Sequence, residues 1–170
     1  MATTLTQEYR LNVSSNFSDT AELATPRSNI SKQYKRTTAN GTGSGQADLR
    51  FQDSARSLAA AATENMDLAG GLTDEYGNTI TFATVTGITI KNLNTVTGDN
   101  LTIGGAASNP AALWFGATTH TLTIEANQIF HITTDVGWTI TGGSADVLKI
   151  LNDDATNAIT FDIIIEGRSA

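Results

Sequence analysis

The feature that most constrains this chain is its period-two hydrophobic alternation, broken at short intervals by glycine, asparagine or aspartate. Val85-Thr86-Gly87-Ile88-Thr89-Ile90-Lys91 alternates cleanly; residues 119–125 place Leu122 and Ile124 on one face, and residues 128–134 set Ile129, His131 and Thr133 opposite Phe130 and Ile132. Residues 137–141, 146–151 and 159–166 follow, separated by Gly142-Gly143 and Asn152-Asp153-Asp154-Ala155. Such runs recur at spacings of about 8–12 residues, with gaps too short for the helices of βαβ units, which is the pattern of an antiparallel sandwich or barrel. Composition agrees. Only 16% of residues are charged and threonine fills the polar positions, which suits a pleated, half-exposed surface better than a helix surface. Pro26 and Pro110 are the only prolines, so strands run almost uninterrupted. We expect an all-β fold with eight or so strands in two packed sheets, a jelly-roll-like antiparallel β-sandwich over residues 47–170.

Residues 1–46 read differently, as an extended N-terminal arm. Tyr9, Leu11 and Val13 alternate as a short strand would, but residues 14–46 then hold few large apolar side chains: Phe17, Leu23, Ile30 and Tyr34. Fixing each backbone residue costs about 1–2 kcal/mol, and each of these anchors returns about 1.5–3 kcal/mol if fully buried. They do not offset that cost alone, so the arm is expected to take its order from another surface. The stretch Asn40-Gly41-Thr42-Gly43-Ser44-Gly45 has the composition of a flexible hinge. Charge divides the chain in the same region: up to Arg56 seven basic residues stand against five acidic ones, and from Ser57 onward three oppose twelve. The basic cluster Lys32-Gln33-Tyr34-Lys35-Arg36, with Arg27 and the apolar anchors Phe17, Leu23 and Ile30, forms the candidate partner-binding set.

Of the Ser57–Glu64 stretch, the alanine run at 59–62 is too short for a stable helix and is read as extended. Leu49-Arg50-Phe51 is a short strand candidate, and residues 111–115 are an irregular apolar stretch carrying Trp114.

No catalytic constellation emerges. The chain has no cysteine, so disulfides, thiolate nucleophiles and cysteine-ligated metals are excluded. His120 and His131 are the only histidines, and a third ligand to complete a metal site is hard to nominate. Asp74-Glu75, Asp99-Asn100 and Asp153-Asp154 are read as turn residues, since they lack the alternating acids and terminal glutamate of an EF-hand. The Gly41–Gly45 run lacks the Lys-Ser/Thr ending of a phosphate-binding loop. Trp114 and Trp138 are read as core or interface residues rather than a sugar platform. A net charge of −7 argues against direct nucleic-acid binding, and the absence of a long apolar run argues against a membrane-spanning helix. The first ten residues lack the basic-then-apolar pattern of a secretory signal. We therefore expect no enzyme activity, no cofactor and no metal.

Several short segments resemble structural proteins of tailed bacteriophages. They are Arg56-Ser57-Leu58-Ala59, the run Glu64-Asn65-Met66-Asp67-Leu68-Ala69-Gly70-Gly71-Leu72-Thr73-Asp74, Ile80-Thr81-Phe82, Gly104-Gly105-Ala106-Ala107-Ser108-Asn109, Gly137-Trp138-Thr139-Ile140, and the end from Phe161-Asp162-Ile163-Ile164-Ile165-Glu166 to Ala170. The resemblance spans roughly residues 56–170 and is most like a capsid decoration, or cement, protein. It implies a virion protein made in the host cytoplasm and placed on the outer capsid surface, with the major capsid protein and further copies of itself, as a homotrimer, for partners. A tail or head–tail connector protein and a carbohydrate-binding domain for host recognition are the alternatives.

Overall fold

The computed structural model describes residues 4–18 and 27–170. Two long strands come first: β1 (Gln7–Ser18) and β2 (Arg27–Asn40) form an antiparallel ribbon of twelve consecutive pairs, from Gln7 opposite Thr38 to Ser18 opposite Arg27, without a register shift. At its root β2 pairs in parallel with the two-residue β3 (Gln46–Ala47). The expected arm is thus a self-paired ribbon, in which each strand satisfies the inward-facing backbone groups of the other. Alternation is present on both strands, but the apolar residues on β2 are thinned by lysine and serine, so its period is faint in the sequence. The glycine-rich stretch is not a free hinge either. Gly45 donates to Asp135 O at 3.0 Å and Arg168 donates to Gly43 O at 2.9 Å, tying this loop to the body.

The body follows as β4 (Leu49–Leu58), β5 (Thr63–Asp67), β6 (Ala69–Thr73), β7 (Thr79–Thr81), β8 (Thr84–Asn92), β9 (Leu101–Gly104), β10 (Thr121–Ile124), β11 (Ile129–Thr139), β12 (Val147–Asn152) and β13 (Ile159–Arg168). Setting aside the small β6–β7 ribbon, eight strands remain, and they pair from the outside inward: β4 with β13, β5 with β12, β8 with β11, β9 with β10, all antiparallel. Rolling this nested ladder brings β13 against β8 and β12 against β9. The result is two four-stranded sheets, β11-β8-β13-β4 and β10-β9-β12-β5, which is jelly-roll topology. The expected all-β sandwich is the fold.

Alternation decides which face of each strand goes inward. Ile159, Phe161, Ile163 and Ile165 of β13, Ile88 and Ile90 of β8, Leu101 and Ile103 of β9, and Leu148 and Ile150 of β12 are wholly or almost wholly buried between the sheets. Asn92 and Asn152 close the loop ends within this core. Asn152 donates to Leu58 O, Ala59 O and Asn157 O at 3.1, 2.9 and 2.8 Å, and so shapes the turn between β4 and β5. That turn takes up the alanine run expected to be extended; Ala61 sits there at φ +53. The candidate strand at 49–51 extends to Leu58 through its pairing with β13; a bulge, where Asp162 accepts a hydrogen bond from Ala55 N at 2.8 Å, hides the period of this polar edge strand. The irregular stretch at 111–115 contains a single 3-10 turn, Leu113–Phe115.

Phe161 is fully buried on a central strand. Phe161→Ala should lower unfolding stability by about 3–5 kcal/mol, measured by urea denaturation.

Candidate functional site

Strand geometry sorts the ribbon into two unlike faces. Odd positions of β1 share a face with their even partners on β2: Tyr9 with Arg36, Leu11 with Tyr34, Val13 with Lys32, Ser15 with Ile30 and Phe17 with Ser28. Beyond its root this face is largely apolar yet open to solvent, with Phe17 74%, Tyr34 62% and Leu11 60% exposed. The reverse face is polar throughout, pairing Arg10 with Lys35, Asn12 with Gln33, Ser14 with Ser31 and Asn16 with Asn29. Every residue in 10–18 and 27–35 is exposed.

The sequence cluster at 32–36 is therefore divided. Lys32, Tyr34 and Arg36 lie on the apolar face with Phe17 and Ile30, while Lys35 lies on the reverse face, ion-paired with Glu8. Arg27 also falls on the reverse face, opposite Ser18. Arg36 is held by the body, donating to Thr134 O at 2.9 Å and pairing with Asp135 at 3.0 Å. Leu23 lies outside the described residues.

The root of the ribbon is seated on the outer face of the β11-β8-β13-β4 sheet. Tyr9 packs on His131 with ring centroids 4.5 Å apart, and His131 Nδ1 is 2.8 Å from Thr89 Oγ1. Gln7 donates to the Tyr9 hydroxyl at 2.7 Å. Beneath them lies Glu166, with no solvent exposure. Its carboxylate occupies the space left by Gly87, the residue opposite it on β8; a Cβ on Gly87 would come within 2.6 Å of Glu166 Oε1. Neither carboxylate oxygen accepts a hydrogen bond, and the Tyr9 hydroxyl faces it without reaching hydrogen-bond geometry. Burial pushes the Glu166 carboxyl above its usual range, and the facing Tyr9 hydroxyl and Arg36 charge only partly oppose this. Burial also pushes the Tyr9 hydroxyl up, helped by the Glu166 charge, and pushes His131 down, helped by Arg36. Sequence alternation places Glu166 outward on β13. The gap at Gly87 and the covering ribbon bury it there, both long-range contacts that nothing local marks.

The other polar candidates serve the fold. Asp154 accepts from Asn157 N at 2.7 Å and from Thr156 N at 2.6 Å, and these bonds hold its carboxyl down at about 2. Asp74 does the same work between β6 and β7, accepting from Tyr76 N and Asn78 N. His120 is engaged with Phe115 O at 2.8 Å, so the two histidines have separate partners. Trp114 packs against Phe115, Phe130 and Trp138 at 4.5–5.9 Å, forming a partly buried aromatic cluster against the core. Among the described residues no three metal-ligating side chains converge.

These features define a jelly-roll body carrying an amphipathic β-ribbon seated on its outer sheet face. No protein-family model matches the chain, and no curated protein shows significant similarity to it.

The raised carboxyl of Glu166 gives the root a definite pH response. The neutral form is favoured in the folded state, so this contribution is complete below the ordinary value of 4.5 and is lost as pH rises through the elevated one. Glu166→Gln should therefore gain stability over the wild type progressively as pH rises from 4.5, the difference being read by urea unfolding of both proteins at each pH. His131, whose depressed value favours stability at higher pH, is common to both and cancels in that difference.

Proposed function

We propose that the chain is a non-enzymatic virion structural protein that decorates and stabilises a phage capsid. Its β-body forms the oligomer, a homotrimer, and its ribbon anchors each copy to the major capsid protein. The observation that carries this reading is the ribbon's exposed apolar face. Leu11, Val13, Phe17, Ile30 and Tyr34 stand on one surface of a structure held at its root, with Lys32 among them. Each side chain contributes about 1.5–3 kcal/mol when fully covered, and in a single copy about half or more of each surface is still open to solvent.

Three further points support it. The resemblance of residues 56–170 to tailed-phage structural proteins has the same direction. Jelly rolls recur in viral capsid domains, although a fold alone does not assign a function. Several ribbons carried by one oligomer also raise the effective concentration of each at its site, so modest individual contacts hold firmly.

Replacing two anchors together, Phe17→Ser with Tyr34→Ser, tests this on purified phage heads depleted of the protein. Loss of two contacts at about 1.5–3 kcal/mol each should weaken apparent capsid affinity by about 100-fold or more, with urea unfolding of the body unchanged. Cryo-electron microscopy of decorated heads should show hundreds of copies on the outer surface. Undiminished occupancy by the variant would reject the ribbon as anchor, and recovery of the protein only from tails or connectors would reject the capsid location.

A further inference from the structure

The faces of the ribbon are only half of what it presents. A strand at the margin of a sheet also offers a row of unpaired backbone donors and acceptors, and proteins ordinarily blunt such margins by shortness, bulges, proline or charge. The body follows that practice among the described residues. Its marginal strands β10 and β5 have four and five residues. The margin at β4 is bulged opposite Asp162, and the margin at β11 is bulged between Thr133 and Trp138. On the ribbon, β2 carries Arg27, Lys32, Lys35 and Arg36, and its outer side is taken at the root by β3.

Among the described residues, the outer margin of β1 beyond its root has none of these protections. It belongs to a twelve-residue strand without a register shift, proline or glycine. Its only charges, Glu8 and Arg10, lie near the root, and the eight residues from Leu11 to Ser18 are uncharged.

We propose that this edge is an interface between copies of the chain: β1 of one copy pairs antiparallel with β1 of a second across a two-fold axis. Three features select that occupant. The pairing is isologous, so one strand supplies both halves. The uncharged outer segment meets its own copy without like-charge repulsion, which the basic β2 could not do. The alternation is also self-compatible. With Asn12 opposite its own copy, Leu11 faces Val13 and both stay on the apolar side. With Val13 opposite its own copy, Tyr9 faces Phe17 to the same effect. Either register makes a four-stranded sheet, β2-β1-β1-β2, with one continuous apolar face drawn from two molecules. The contact uses the strand's edge and leaves that face free, so it is compatible with capsid anchoring but does not rest on it. In an assembly of trimers joined through their bodies, it would link one trimer to the next.

Sedimentation velocity on the full chain over a wide concentration range tests the pairing. The wild type should show a reversible doubling of whatever particle the bodies form. Asn12→Lys with Ser14→Lys puts lysines directly across the proposed seam on the polar side and should abolish the doubling. Ser31→Lys with Gln33→Lys adds the same charge to the same side of β2, away from the seam, and should leave it intact. Mixing the seam lysine variant with Asn12→Glu, Ser14→Glu protein should restore it. Far-ultraviolet circular dichroism and urea unfolding of each variant check that the ribbon and body persist. No doubling in the wild type at any concentration would overturn the proposal, as would doubling that survives the seam lysines. Failure of capsid binding with doubling intact would instead count against the capsid reading alone.

Discussion

The last strand must lie between the first and third strands of the roll for this sandwich to close. β13 meets that requirement by pairing with β4 on one side and β8 on the other. Its inward side chains, Ile159, Phe161, Ile163 and Ile165, are fully buried. Its far end pins the glycine-rich loop through Arg168 and supplies Glu166 to the ribbon's root. One strand thus couples the core to the mounting of the ribbon. A change that loosens β13 should loosen the ribbon as well, because the outer face on which Tyr9 and Arg36 rest is the reverse of the core-forming face.

The root is an unusual place for a carboxylate. An outward glutamate on a sheet is normally solvated, and covering it without hydrogen-bond donors opposes docking of the ribbon. Other contacts offset that cost here: the Tyr9–His131 packing and the hold of Arg36 on Thr134 O and Asp135. Opposing terms of this kind make the stability of the seat depend on pH. A simple apolar seat would be firmer and would not respond to pH.

The body was legible in the sequence wherever one strand face is buried and the other is not. Strands β8, β11, β12 and β13 have alternation strong enough to read directly, because hydrophobic burial imposes a period of two on them. β4 was only partly legible, since an exposed edge strand with a bulge at Ala55 has no reason to keep a clean period. The pairing within the arm was not legible for a related reason. Its second strand carries Ile30 and Tyr34 among lysine, serine and asparagine, and twelve continuous pairings with β1 are a long-range property that no local window reveals. Of the candidate binding set, Phe17, Ile30, Lys32 and Tyr34 do share a face, whereas Arg27 and Lys35 point the other way and Arg36 is spent on the body. A run of five consecutive residues cannot act as one patch on a strand, because neighbours alternate sides.

The distribution of charge then acquires a structural meaning. The basic residues of the N-terminal part sit mainly on β2, and the acidic residues of the body gather largely in turns, where Asp74 and Asp154 accept backbone hydrogen bonds. A chain arranged this way repels its own copies ribbon to ribbon along β2, which discourages indiscriminate aggregation. The uncharged stretch of β1 and the apolar face escape this repulsion. On the proposed function, association is thereby directed to surfaces whose alternation, strand direction and charge all specify the fit.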